Sequence, residues 1–219
     1  MKVVAFVPIK LNNERLPNKN TLPFTNGQPM VCYILETLIK IEQIDEVYVY
    51  CSSEKIKDYL PEGVKYLTRD KKLDTSHVSF NDVLSSFAHD VSADIYVLAH
   101  ATAPFINKDS IIKAVEAVKS KEFDSSFGCH RLEEFLWKDS KPLNYDLENI
   151  PRTQDLEEVY AETCGLYVYT RELIVEKNRR IGYSPKIIEL SRIESVDVNN
   201  EFDFTVADAV YNKYIRSDI

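Results

Sequence analysis

The chain has 219 residues, 44% hydrophobic and 28% charged, which places it among globular domains with one sizeable core and excludes a disordered chain. Its 27 Lys and Arg against 35 Asp and Glu leave a net charge of −8, which weighs against a general nucleic-acid binder, since that needs a basic face. The five glycines (Gly27, Gly63, Gly128, Gly165 and Gly182) are too scattered for a P-loop or a GxGxxG turn, which weighs against kinases, P-loop NTPases and Rossmann dehydrogenases. Any phosphate site must then be neutralised by side-chain cations and a metal rather than by a glycine-rich backbone.

Residues 3–7 are an unbroken apolar run ended by Pro8, and read as a buried strand running into a polar loop. That loop carries Lys10, Arg15 and Lys19 within ten residues, braced by Pro17. Ligands of open α/β sheets bind outside the carboxyl ends of the strands, so clustered cations there point to a polyanion, most simply a nucleoside triphosphate. The alternative is a solvated basic loop.

Val31, Ile34, Leu35, Leu38 and Ile41 follow helical spacing, and 47–51 is a β-rich second strand. A short helix is expected over 54–60, capped by Ser52 or Ser53, then a brief strand at 65–67. Val83, Leu84, Phe87, Ala88 and Val91 mark the next helix face, and 94–99 the next strand, with 100–104 the loop at its carboxyl end. Asn107 is placed to cap a helix with the stripe Ile111, Ile112, Val115 and Val118. This βαβ rhythm predicts a mostly parallel sheet with right-handed crossovers.

The rhythm breaks after Phe123. Strands are expected at 127–131, 165–169 and 186–190, but 132–162 is irregular and holds Phe135, Trp137, Tyr145 and Tyr160. Long loops with exposed aromatic residues are unusual without a partner, so the segment reads either as a loop folded back on its own core or as an excursion for dimerisation. A strand at 195–198 precedes a last helix from Glu201, capped by Asn200 and burying Phe202, Val206, Val210 and Tyr214. Cys32, Cys51, Cys129 and Cys164 form no CxxC pair and read as reduced, mostly buried thiols of a cytosolic protein. No signal peptide and no membrane span are expected.

Several motifs in order resemble the acylneuraminate and Kdo cytidylyltransferases, which make CMP-activated sugar acids. The spacing of Ile9-Lys10, four residues, then Arg15-Leu16-Pro17-Asn18-Lys19-Asn20 is that family's first signature, with Lys10 in place of the usual Arg. Arg69 with Asp74-Thr75, the LAHATAP run at 98–104, Pro151-Arg152-Thr153-Gln154, Gly165-Leu166-Tyr167-Val168 and SVDVNNEFDF at 195–204 are similar to its later motifs. The resemblance runs nearly end to end. It implies a three-layer α/β fold, a Rossmann-like, mostly parallel sheet with an inserted dimerisation excursion over 131–162, in one domain of 1–219. It also implies a cytoplasmic homodimer that transfers CMP from CTP to a sialic-acid-like or Kdo-like acid for surface glycan biosynthesis, releasing pyrophosphate.

The resemblance gives Lys10, Arg15 and Lys19 the triphosphate, with Asn12 and Arg69 as further nucleotide contacts. It makes Asp197 a Mg²⁺ ligand, with Asn199 standing where the family usually has a second Asp. His100, in place of the family's Gln, joins Arg152 and Gln154 on the acceptor side, where an Arg fork suits a carboxylate. Glu162 puts an acid where the sialic-acid enzymes put a cation, so the acceptor half looks altered while the nucleotide half looks retained. Two other readings stay open: a different acidic acceptor, or nucleotide binding without turnover. A glycosyltransferase of similar architecture would need an Asp-x-Asp motif, which the chain lacks.

Overall fold

The opening apolar run lies inside the sheet because both of its faces are covered. In a computed structural model, which describes residues 1–75 and 77–216, it forms β1 (Val3–Ile9). The chain continues through α1 (Met30–Ile39), β2 (Glu46–Cys51), β3 (Val64–Thr68), α2 (Phe80–Asp90), β4 (Ile95–Ala99), α3 (Lys108–Lys119) and β5 (Ser125–Leu132). A small hairpin of β6 (Trp137–Lys138) and β7 (Lys141–Pro142) follows, then β8 (Val159–Thr170), α4 (Arg171–Val175), β9 (Pro185–Glu189) and α5 (Glu201–Val210). Among the described residues the main sheet has seven strands in the order β3-β2-β1-β4-β8-β5-β9, and β8 alone runs antiparallel to its neighbours.

Alternation along β1 sorts its side chains between two apolar layers. Val3, Ala5, Val7 and Ile9 join the core under α1 and α3, while Val4 and Phe6 join the core under α2 and α4. Phe6 stacks on Phe87 with ring centroids 3.9 Å apart. This is the expected three-layer α/β fold. A third cluster, built on Phe24, Met30, Phe105, Val198, Ala207 and Tyr211, seats α5 at the end of the sheet where the first loop emerges.

Several local expectations change. β1 runs through Pro8 to Ile9 rather than stopping at Pro8. Lys2 O accepts from Asp94 N and Val3 O accepts from Asp45 N, so even residues of β1 turn their polar backbone atoms toward β4. Pairing with β4 ends at Phe6, so the missing N–H of Pro8 interrupts no ladder bond. Residues 54–59 form a 3₁₀ segment rather than an α-helix, and Ser53 makes no side-chain cap. The expected strand at 195–198 is irregular chain. Paired strand extends into both ends of the segment read as irregular, because β5 and β8 pair from Arg131–Tyr160 to Leu132–Val159.

The last helix is capped as expected: Asn200 accepts from Asp203 N, and the Asp203 carboxylate closes a capping box. Its buried face differs. Ala207 and Tyr211 are buried, whereas Phe202 is 74% exposed and Val206 and Tyr214 also face solvent. Cys32, Cys51 and Cys129 are buried and Cys164 is exposed. No helix among the described residues is long and apolar enough to cross a membrane.

Candidate active site

The site forms where three loops meet at the carboxyl ends of β1 and β4. Asn18 adopts a left-handed conformation (φ 56°), which Asn tolerates, and the turn points Lys19 inward. The buried Lys19 Nζ donates to Val198 O at 2.8 Å. Val198 N in turn donates to Thr102 O at 2.9 Å, in the loop after β4. One residue therefore ties the first loop, the β4 loop and the segment before α5 together, and its buried side chain anchors the tie in the third core. Asp197 and Asn199 flank it.

Lys10, Arg15, Lys19 and Asn199 line a common cavity of ≈ 210 Å³. Burial pushes the Lys19 ammonium below its ordinary pKa, with Asp197 opposing that shift and Arg15 adding to it. Three cations thus crowd one concave surface, with Glu14 in its lining and Asp197 close to Lys19, and this excess of positive charge fits a bound polyanion. The cavity shares Glu14 with a cleft of ≈ 950 Å³ lined by Asn12, Ser52, Ser53 and Asp74. It shares Lys10 with a cavity of ≈ 290 Å³ that includes Arg69, Asp74 and Phe80. Shared walls make the three a single groove.

Arg69 is buried, and its guanidinium is held by Asp74, which also accepts from Ser52 Oγ. The pair is buried at its Arg69 end, and Arg69 Nε is left without a partner. His100 lies at the end of β4, its ring 5.2 Å from Phe80. Its Nε2 is shut off from solvent and has no hydrogen-bond partner. Burial, reinforced by Arg180, lowers the imidazole pKa to about 4, so the ring is neutral near pH 7. Asp197 and Lys19 also act electrostatically on His100.

Arg152 and Gln154 lie on a short 3₁₀ turn of the excursion, exposed, and the Arg152 fork is engaged by Asp155 at 2.7 and 3.1 Å. Sequence reading missed Arg180 and Phe80. Phe80 opens α2 as one apolar residue among many, and Arg180 follows α4 in a segment with no periodicity, so neither carried a signal.

Among the described residues no three Asp, Glu, His or Cys side chains are grouped to hold a metal. Mg²⁺ is commonly held by one or two carboxylates with phosphate oxygens and water completing its shell, and Asp197 beside three cations suited to phosphate fits that donor set. Asn199 Nδ2 donates to Asp197 Oδ2 at 2.6 Å, and Asn199 N donates to Asp203 Oδ2 at 2.8 Å. Asn199 thus braces the carboxylate, and Asp203 orders the backbone ahead of α5.

The family model described as Cytidylyltransferase matches residues 4–198. N-acylneuraminate cytidylyltransferase from Oncorhynchus mykiss is 26% identical over 94% of this chain, and 3-deoxy-manno-octulosonate cytidylyltransferase from Christiangramia forsetii is 23% identical over 80%. The chain spans 49% of the first relative's length and 76% of the second's. The fold is similar to that of CMP:2-keto-3-deoxy-manno-octonic acid synthetase complexed with CTP (TM-score 0.73, 15% identity, all of both chains). It is also similar to that of 4-diphosphocytidyl-2C-methyl-D-erythritol synthase from Anaerococcus prevotii (TM-score 0.69, 10% identity, 97% of this chain and 96% of that one). The match over residues 4–198 takes in the cation loop, the β4 loop and Asp197, and the chain belongs to the cytidylyltransferase family.

Proposed function

We propose that the chain transfers CMP from CTP to a sugar acid and releases pyrophosphate, in surface glycan biosynthesis. The observation that carries this reading is the convergence of Lys10, Arg15 and Lys19 on one cavity, tied through Val198 to the Asp197 carboxylate and the β4 loop. Nucleotidyl transfer needs positioning and neutralisation of charge on phosphate oxygens more than covalent help from the protein. Lys10, Arg15 and Lys19 hold the triphosphate. The ≈ 950 Å³ cleft beside them takes the base and ribose, with Asn12, Ser52 and Ser53 as polar contacts. Arg69, fixed by Asp74, lines the adjoining ≈ 290 Å³ cavity together with Lys10 as a further nucleotide contact.

Asp197, braced by Asn199, would hold Mg²⁺, which when bound supplies further neutralisation of the phosphate oxygens. His100, neutral and with an unpaired Nε2, meets the acceptor at the other end of the groove. Arg152 and Gln154 remain acceptor-side residues by motif, carried on the excursion.

We also propose that the working form is a homodimer joined through the excursion. Trp137, Leu143, Leu147 and Ile150 are each more than half exposed there, an apolar surface that calls for a cover. Pyrophosphate release with Mg²⁺ and each of the four nucleoside triphosphates, against N-acetylneuraminate, Kdo, legionaminic and pseudaminic acids, tests the reaction. Release with CTP and one acid is expected. CTP binding without release on any acid would instead favour nucleotide binding without turnover.

A further inference from the structure

A further cation lies beside Phe80, away from the triphosphate loop. Arg180 lies between α4 and β9, half-buried, with its guanidinium 4.3 Å from the Tyr167 ring and 5.6 Å from the Phe80 ring. Phe80 is the link to the groove: its ring lies 5.2 Å from His100, and it lines the cavity that also includes Lys10 and Arg69. Arg180 and His100 therefore both lie by Phe80, and the three make a wall beside the cavity that Lys10 and Arg69 line.

The hydrogen bonds that Arg180 makes among the described residues all come from Nη2, to Tyr167 Oη at 3.3 Å and to Glu162 Oε1 at 3.5 Å. Both are long for charge-assisted bonds, and Nε and Nη1 donate to neither group. Tyr167 Oη donates to the same Glu162 oxygen, which competes for that carboxylate's capacity. A guanidinium lying over two rings, pinned at Nη2 and with no bond from Nε or Nη1 to these groups, is left able to receive an anion. The neighbouring Nε2 of His100 is buried and unpaired, so this wall already contains a second polar atom that lacks a partner.

We propose that Arg180 binds the carboxylate of the acceptor acid, with Glu162 setting the angle of the guanidinium and Phe80 and Tyr167 holding its plane. This assignment rests on the reading of the site as a CTP-dependent transferase. It also accounts for Glu162, an acid on the acceptor side: there it serves to position a cation brought from a different element.

Charge reading and structural support are separable by experiment. The full chain, loaded with α,β-methylene-CTP, is titrated by saturation-transfer NMR with N-acetylneuraminate, Kdo, legionaminic and pseudaminic acids and with their methyl esters. Arg180→Gln is expected to weaken the acid that binds by roughly 10- to 100-fold and the ester by less than about twofold, with nucleotide affinity by calorimetry unchanged. Arg180→Lys, which keeps the charge and loses the fork, should fall between the two and guards against a folding defect in the first variant. Equal losses for acid and ester, or an unchanged acid affinity, would overturn the proposal. So would the failure of all four acids to bind the loaded wild type. Failure of the nucleotide itself to bind would overturn the underlying reading instead.

Discussion

Lys19 is costly to bury, and the cost is met at two points: Val198 O accepts its ammonium, and Asp197 lies close enough to oppose the fall in its pKa. A charged residue held that way is available to a polyanion without rearrangement. His100 shows the opposite strategy, a titratable ring kept neutral by burial. Its folded pKa of about 4 lies below the ordinary value of 6.5, so between those values the unfolded chain binds more protons than the folded one. Stability should therefore rise with pH across that window and be lost as pH falls from 6.5 toward 4. Thermal unfolding measured from pH 7 to pH 4 should show a smaller acid loss in His100→Gln than in the wild type; identical profiles would remove His100 as a source. Spacing groups Lys10, Arg15 and Lys19, and the family resemblance adds Asp197 and Asn199 to the same expected site. Neither shows Val198 as their link, because a backbone tie between residues 179 positions apart leaves no side-chain signature.

At the scale of elements, β8 controls how closely the β4 loop approaches the sheet. His100 N donates to Gly165 O at 3.1 Å, and a Cβ on Gly165 would lie 2.6 Å from Ala103 Cβ and 2.7 Å from Ile106 Cδ1. Gly165→Ala should thus push the loop carrying His100 off β8, costing about 1–3 kcal/mol in urea unfolding and lowering turnover; unchanged stability would show that the loop can yield. The strands and helices through α3 are readable because each carries a clean period, either continuous apolar residues for the central strands or a 3.6-residue stripe for the helices. The last helix is misjudged by rotation. Phe202, Val206, Val210 and Tyr214 step by four and look like a stripe, but of these only Val210 packs against the third core, where Phe24 meets Phe204 and Tyr211, and Tyr33 meets Tyr211. Which aromatic face is buried depends on those distant partners, and no local pattern can decide it. The short helix expected at 54–60 forms as a 3₁₀ segment over 54–59, but without its serine cap: Ser52 is drawn to Asp74, and Ser53 caps nothing.

For the whole molecule, the sheet places every proposed phosphate contact at one end and leaves the excursion outside it. Tyr145 packs between Phe135 and Trp137, at 4.7 and 6.1 Å, which gives the excursion a small core of its own while Leu143, Leu147 and Ile150 stay exposed. If that surface joins two copies, Leu147→Glu should shift sedimentation velocity from a dimer to a monomer at micromolar concentration. A monomeric wild type, or a variant dimer of unchanged strength, would place the interface elsewhere. Sequence patterning identifies the excursion as unusual but not its ends, since β5 and β8 extend beyond their apolar centres through polar residues such as Arg131 and Glu162. The acceptor wall is the least readable part. Phe80, His100, Glu162 and Arg180 come from four separate places in the chain, and only the folded sheet brings them to one surface.

If the three cations and Asp197 work as a single metal-assisted triphosphate site, calorimetry of CTP with and without Mg²⁺ will register both parts. The wild type should bind CTP more tightly with Mg²⁺; Lys19→Met should lose at least about tenfold in affinity, and Asp197→Asn should lose the Mg²⁺ enhancement. CTP binding unchanged in Lys19→Met, with the Mg²⁺ enhancement retained in Asp197→Asn, would contradict the account.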